Sequence, residues 1–163
     1  MRAASLGLLA LASCAAGRFD GVVYRDSQVA FRVGRMGPNW RRLSLSGGDV
    51  LLRHAGGGAV LANAVCSGIK DVPLEVLANQ ALFGVVETQE WSRDVVTLDG
   101  RAALRLRLAG TLDGVPVDLD LVVLKKDGCV YDLQLVAGPA VFAERDHDFD
   151  RLVAGFGTVG RGG

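Results

Sequence analysis

In the C-terminal half of the chain, the dipeptide Asp-Gly occurs three times at intervals of fourteen residues, at positions 99–100, 113–114 and 127–128. Asp-Gly is among the favoured pairs for a two-residue β-hairpin turn, because both turn positions need a positive φ angle. The spacing leaves about ten residues for each intervening strand, which is within the usual length of strands in globular proteins. We therefore predict a long antiparallel meander in the C-terminal half of the chain.

The turn at Asp113-Gly114 makes a specific prediction for strand register. A two-residue loop there places three apolar pairs on one face of the sheet: Leu104 with Val123, Leu106 with Leu121 and Leu108 with Leu119. On the other face it places Arg107 opposite Asp120, with Asp118 on the diagonal, as in a cross-strand ion pair. Arg105 lies on the same face. These four charged residues indicate either a polar binding face or a solvated sheet face, and we favour the solvated face.

The turn at Asp127-Gly128 is less straightforward. A two-residue loop would place Val123 opposite Asp132 and Leu121 opposite Gln134, so apolar and polar side chains would share a face. A shift of one residue restores apolar pairs, and burial selects strongly between such registers. We therefore predict a three-residue loop over residues 126–128, with Gly128 in the left-handed conformation. Cys129 then lies on the core side with Tyr131 and Leu133.

Shorter strands and two helices account for the rest of the predicted domain. Residues 28–33 alternate as in a strand, Gly47-Gly48 indicates a hairpin turn, and residues 59–66 return as a strand. Asp71 and Pro73 are helix-start signals. The helix that follows carries an apolar stripe of Leu74, Leu77, Ala78, Ala81 and Leu82, and Gly84 ends it.

A second helix is predicted near the C-terminus. Phe149, Leu152, Val153 and Phe156 have helical spacing, and Gly157 terminates the run. Because each helix has a single apolar stripe, each is expected to cover a sheet. The predicted fold class is α+β: a mostly antiparallel sheet of about six or seven strands with two helices packed on it.

Several segments together resemble one known family. Gly37-Pro38-Asn39-Trp40, the helix after Pro73, and the stretches TLDGRAALRLRLAG, VYDLQLVAG and FDRLVAGF are similar to those of the PsbP-like fold. The resemblance covers residues 28–157. It implies an accessory or binding protein, since the family has no shared catalytic residues that can be carried onto this chain.

The first fourteen residues have the features of an export signal. Arg2 precedes a short apolar run over residues 3–12, which is far below the roughly 20 residues that span a bilayer. Leu11-Ala12-Ser13-Cys14 then resembles the lipobox of bacterial lipoproteins. That resemblance implies cleavage before Cys14, acylation of its thiol and anchorage in the membrane. Ala15 in the next position implies the outer membrane, facing the periplasm. In the other interpretation, Cys14 merely ends an ordinary signal or a buried strand.

The predicted organisation follows from these segments. Residues 1–13 are a lipoprotein signal peptide, 14–27 a tether, 28–157 the PsbP-like α+β domain and 158–163 a tail. The chain has 18 basic and 18 acidic residues, and loss of Arg2 with the signal leaves a formal charge of about −1. A chain so balanced has no electrostatic reason to bind nucleic acid.

The two remaining cysteines, Cys66 and Cys129, leave two interpretations open. In an oxidising periplasm they can pair, closing a loop of about 63 residues. Alternatively they are separate buried thiols. The chain has no C-x-x-C motif, which argues against a thioredoxin-like role.

Few residues suggest chemistry. His54 follows a short strand and is expected to be exposed, whereas His147 lies in the acidic run 144–150. That run fits a metal cluster or, as we favour, a helix start capped by Asp146 or Asp148. Trp40 and Trp91 are expected in the core rather than in an aromatic contact site. The sequence has no nucleophile motif and no phosphate loop, so we expect no enzyme activity, cofactor or metal.

Two functions remain for such a chain. The first is a lipid-anchored envelope protein that binds or helps assemble another envelope component without catalysis. The second is a periplasmic module that binds a small molecule or lipid between the sheet and a helix.

Overall fold

Two antiparallel sheets and two helices form the fold in the computed structural model, which describes residues 17–44, 49–68 and 71–160. The smaller sheet contains β1 (Arg18–Phe19), β2 (Val23–Arg25), β3 (Ala30–Arg32) and β11 (Gly157–Thr158), in that order. The larger sheet has seven strands: β4 (Trp40–Leu43), β5 (Val50–His54), β6 (Ala59–Val65), β7 (Val85–Leu98), β8 (Arg101–Leu112), β9 (Val115–Lys126) and β10 (Cys129–Ala137). Their order is β4-β5-β6-β10-β9-β8-β7. The helices are α1 (Leu74–Ala81) and α2 (Pro139–Ala154). The predicted α+β class is confirmed.

The three Asp-Gly dipeptides of the C-terminal half all form tight turns of the predicted meander. Asp99, Asp113 and Asp127 have φ angles of 48°, 51° and 51°, and the glycine after each also has a positive φ. Two consecutive positive φ angles define the type I′ turn, which matches the twist of the strands that it joins. The β8–β9 register is confirmed, with Leu104 opposite Val123 and Arg107 opposite Asp120.

The predicted β9–β10 register is wrong by one residue. Cys129 pairs with Lys126, so the loop is the two-residue Asp127-Gly128, and Asp132 lies opposite Val123. The reason is that every residue of β9 from Val117 to Leu124 is buried, on both faces of the sheet. Burial therefore does not select the register, and the turn does. Cys129 nevertheless packs with Tyr131 and Leu133 in the main core, as predicted.

The two faces of the large sheet have different covers. On one face, α2 and the smaller sheet enclose the main core, in which Phe31, Tyr131 and Phe149 are almost completely buried. On the other face, the predicted stripe of α1 packs through Ala78 against a cluster of Leu104, Leu121, Val123 and Val130. Helix α1 follows Pro73 and ends before Gly84, whose φ is 90°.

Helix α2 is longer than predicted at its N-terminal end. It begins at Pro139 after Gly138, without a side-chain cap, and it ends before Gly155 rather than at Gly157. Asp146 and Asp148 consequently lie inside the helix, and their predicted capping role is wrong. The buried stripe continues through Phe142 and Arg145. Because one of its positions carries a charge, a search for apolar spacing alone starts at Phe149.

The folded region also extends beyond the predicted domain ends. Residues 18–25, predicted to belong to a tether, contain β1 and β2, and Thr158 of the predicted tail pairs with β3. The carboxylate of Asp20 accepts the backbone N–H groups of Val22 and Val23, which turns the chain between β1 and β2. Cys14, the signal segment and the Gly47-Gly48 turn lie outside the described residues. Neither helix in the described ranges has the length and hydrophobicity that crossing a bilayer requires.

Candidate functional site

A cluster of charged side chains lies between the large sheet and α2. Asp120 on β9 is fully buried, and it accepts hydrogen bonds from Nε of Arg105 (3.0 Å) and Nε of Arg107 (2.7 Å). The prediction of a solvated face is therefore wrong, although the predicted cross-strand ion pair is present. Strand alternation correctly indicates which residues share this face, but it does not reveal that α2 covers it. Asp118 on the same strand is buried as well, and burial raises its pKa.

Helix α2 adds two carboxylates to this cluster. Asp146 lies 3.1 Å from Arg107 and Asp150 lies 2.5 Å from Arg105, in each case between a carboxylate oxygen and Nη2. Three carboxylates then face two guanidinium groups. Burial, followed by the hydrogen bond and negative charge of Asp120, raises the pKa of Asp146 to about 6. Asp146 is the carboxylate in excess.

The same three carboxylates come close enough together to consider a metal ion. Oxygen atoms of Asp120, Asp146 and Asp150 lie within 4.8 Å of one another. However, Arg105 and Arg107 already supply positive charge to all three. The arrangement is therefore that of a structural ion network. The candidate ligand His147 is exposed on α2 and does not belong to this group of described residues.

Because Asp146 is the carboxylate in excess, we expect the stability of the fold to depend on pH. We expect Asp146→Asn to raise the free energy of unfolding by about 2 kcal/mol near pH 8 and to have little effect near pH 4. The raised pKa means that the folded state binds this proton more tightly than the unfolded state. Stability is therefore lost as the pH rises from about 4 to about 6, and asparagine removes that loss. Urea unfolding of the wild type and of Asp146→Asn between about pH 4 and pH 8 measures the effect. The same difference in unfolding free energy at every pH would contradict it.

His54 and Trp40 belong to the core rather than to an open site. His54 is buried, contrary to prediction, and its ring meets the Trp40 ring edge-on at 5.0 Å. Its Nδ1 accepts the backbone N–H of Gly56 at 2.9 Å, and Trp40 Nε1 donates to Asp148 on α2 at 2.8 Å. The expected burial of Trp40 is confirmed. Trp91 differs, since it is half exposed on β7.

A cleft of about 540 Å³ opens between α1 and the strands β6 and β10. Its apolar lining consists of Val65, Val72, Leu77, Ala81 and Val130, and its polar lining includes Asn63, Gln80 and Asp132. Burial raises the pKa of Asp132, whose carboxylate accepts hydrogen bonds from Asn63 (3.3 Å) and Gln134 (3.1 Å). A volume of this size with a few polar groups is typical of small-molecule sites.

A disulfide joins β6 and β10 on the side of the main core. The sulfur atoms of Cys66 and Cys129 are 2.07 Å apart, directly beyond the paired residues Val65 and Val130. The sequence left open whether these cysteines pair or remain separate thiols, and in the structure they are paired. The bond holds the end of β6 to the start of β10.

An exposed apolar surface lies at one end of the meander. Phe83 is 95% exposed in the turn after α1, and Val86 and Val115 are both more than half exposed. All three lie at the same end of the meander, where Val86 pairs with Thr111 and Val115 with Leu112, so Val86 and Val115 are on opposite faces of the sheet. We call Phe83, Val86 and Val115 the apolar tip. Sequence reasoning missed it because Phe83 follows the helix stripe and belongs to no periodic pattern.

Solved structures show that the chain has a PsbP-like fold. It matches the cyanobacterial PsbP protein CyanoP of Synechocystis sp. PCC 6803 with a TM-score of 0.59 and 14% identity, over 94% of this chain and 99% of that chain. It matches LpqN of Mycobacterium tuberculosis, described as involved in cell envelope biogenesis, with a TM-score of 0.56 and 15% identity, over 81% and 86%. PA94 of Pseudomonas aeruginosa, a protein of unknown function, matches with a TM-score of 0.54 and 16% identity, over 86% and 97%.

These identities are low enough that the likeness defines the fold alone. No protein-family model matches the chain, and no curated protein matches it by sequence. The predicted PsbP-like fold is confirmed.

Proposed function

We propose that this chain is a cell-envelope protein, anchored through acylated Cys14 in the outer membrane, that binds another envelope component without catalysis. The Leu11-Ala12-Ser13-Cys14 segment supports the anchor by its resemblance to a lipobox. The envelope role described for LpqN supports the compartment. The non-catalytic role is supported by the carboxylate cluster, whose members are bound by arginines in a structural network.

The apolar tip is the observation that carries the binding role. The side chain of Phe83 is almost fully exposed, so its apolar surface is in contact with water. Burial of that surface against a partner would be favourable. Exposed apolar residues concentrated in one region of a globular protein commonly mark a protein interaction site. Val86 and Val115 add exposed apolar area on the two sides of the sheet at the same end of the meander, so a partner protein would cover Phe83 and these strand ends.

One purification tests both parts of the proposal. The wild-type chain is extracted from membranes in mild detergent, and its intact mass and bound molecules are measured by mass spectrometry. We expect loss of residues 1–13, added acyl chains on Cys14 and a stoichiometric protein partner. An intact, unmodified precursor would contradict the anchor, since acylation is what holds such a chain to the bilayer.

Two serine variants locate the partner surface. We expect Phe83→Ser to reduce the co-purified partner at least about tenfold, in the range of a central interface residue. Val95→Ser is the matched control, because Val95 is also a largely exposed apolar residue but lies along β7, away from the tip. Equal recovery of partner with both variants would contradict a site at the tip.

The cleft beside α1 favours a second candidate function, binding of a small molecule or lipid. Its mixed lining offers an apolar wall and the Asp132 carboxylate to a ligand. The same mass spectrum separates the two functions. A retained small molecule, unaffected by Phe83→Ser and without a protein partner, would support the cleft as the functional site.

A further inference from the structure

Basic and acidic residues are equal in number but are distributed unevenly along the chain. Residues 17–54 contain seven arginines and three aspartates, with no lysine or glutamate. Residues 55–163 contain ten basic and fifteen acidic residues. The N-terminal part of the fold thus has an excess of four positive charges, and the remainder has an excess of five negative charges.

Four of these arginines lie on or beside β1: Arg18 and Arg25 line one surface depression with Phe19, and Arg35 and Arg42 line a second one that also includes Phe19. Arg18 and Arg25 lie directly opposite each other on β1 and β2. The Arg42 guanidinium lies 5.6 Å from the centre of the Phe19 ring, and Arg35 lines the same surface depression as Phe19 and Arg42. We call Arg18, Arg25, Arg35 and Arg42 the arginine patch.

The charge of the arginine patch is only partly offset within the described residues: backbone hydrogen bonds from Val23 and Val22, and then the positive charges of Arg25 and Arg35, lower the pKa of Asp20. All four side chains are exposed, and none of them forms an ion pair with a residue in the described ranges. The nearby carboxylate of Asp20 accepts two backbone N–H groups. By contrast, Arg105 and Arg107 in the ion cluster each contact several carboxylates. The patch is therefore available to anions outside the domain.

The patch is also close to the proposed anchor. Three peptide units separate Cys14 from Gly17, the first described residue, so their Cα atoms lie at most about 11 Å apart. The backbone carbonyl of Gly17 accepts a hydrogen bond from Arg42 at 3.5 Å. An acyl chain on Cys14 would hold this part of the domain against the lipid surface.

We propose that the arginine patch binds the anionic phospholipid surface of the membrane and so orients the domain. The proposal rests on the proposed function, because anchorage at Cys14 is what brings the patch to the lipid. Guanidinium groups bind phosphate oxygens through two parallel hydrogen bonds. Each basic residue close to an anionic bilayer strengthens partitioning by about fivefold. With β1 against the lipid, the rest of the domain extends away from it.

Vesicle sedimentation of the full chain carrying Cys14→Ser tests the patch without acylation. Vesicles of phosphatidylcholine alone are compared with vesicles that also contain phosphatidylglycerol, at low and at high salt. We expect tighter binding to the anionic vesicles, weakened by salt. Arg18→Gln together with Arg25→Gln should reduce that binding about 25-fold.

A matched pair of arginines provides the control. Arg41 and Arg53 lie opposite each other on β4 and β5, are exposed, and have no ion-pair partner among the described residues. Their side chains point to the opposite face of the sheet from Leu52 and the main core. Arg41→Gln with Arg53→Gln removes the same charge, and we expect binding to fall by less than about threefold. Circular dichroism verifies that both double variants are folded.

Two results would overturn the proposal. One is equal binding to neutral and anionic vesicles, and the other is an equal loss of binding in the two double variants. Neither result depends on lipidation, because Cys14→Ser removes the acceptor thiol. Conversely, an unmodified Cys14 in the purified wild-type protein would refute the anchor and leave the vesicle result unaffected. The two failures are therefore distinguishable.

Discussion

Replacing Cys66 and Cys129 together by serine is expected to lower the free energy of unfolding by about 4 kcal/mol. The disulfide closes a loop with a sequence separation of 63 residues, and in the chain-entropy model a loop of this length strongly restricts the unfolded chain. A loss of this size is a large part of the roughly 5–15 kcal/mol by which a typical native domain is stable. Urea unfolding of the oxidised wild type and the double variant measures it.

Two comparisons make the disulfide prediction specific. Cys14→Ser changes the third cysteine, which lies outside the described fold, and is expected to leave the unfolding midpoint unchanged. Wild type unfolded in the presence of a reductant should approach the double variant. If the oxidised wild type and the double variant unfolded at the same urea concentration, the pairing would contribute nothing to stability.

Replacing Asp120 by asparagine is expected to lower the free energy of unfolding by about 3 kcal/mol. Asp120 is fully buried and accepts hydrogen bonds from both Arg105 and Arg107. Asparagine offers one acceptor oxygen and places an NH₂ group beside guanidinium donors. Asp146 and Asp150 still neutralise part of the arginine charge, so the effect lies at the lower end of the range for breaking a buried ion pair.

Replacement of Asp118 or Asp146 by asparagine should affect the free energy of unfolding differently from the same change at Asp120. Asp118→Asn lies two residues away on β9, at a position where burial raises the pKa, and is expected to be neutral or slightly stabilising. Asp146→Asn within the cluster is expected to stabilise near pH 8. Asparagine scanning followed by urea unfolding should therefore give opposite signs for Asp120 and Asp146. A destabilisation shared equally by all three positions would contradict the assigned charge balance.

The binding surfaces were accessible to sequence reasoning to different degrees. Strand alternation placed Arg105, Arg107, Asp118 and Asp120 on one face, but their burial depends on α2, which contacts β9 only after the chain has folded. The cleft lies between a helix and two strands from separate parts of the chain, so no local pattern indicates its volume. The net charge of zero gave no indication of the arginine patch, because most of the acidic residues lie in the later part of the chain.

Local sequence determined the turns and much of the secondary structure of this protein. Each Asp-Gly turn depends on two adjacent φ angles, and the stripe of α1 depends on spacing within eight residues, so both could be predicted from neighbouring residues alone. Tertiary structure decided that both faces of β9 are covered, that His54 and Asp120 are buried, and that residues 18–25 belong to a second sheet. These features depend on which distant element covers each face. The free energy of that burial arises only when segments far apart in the chain come into contact.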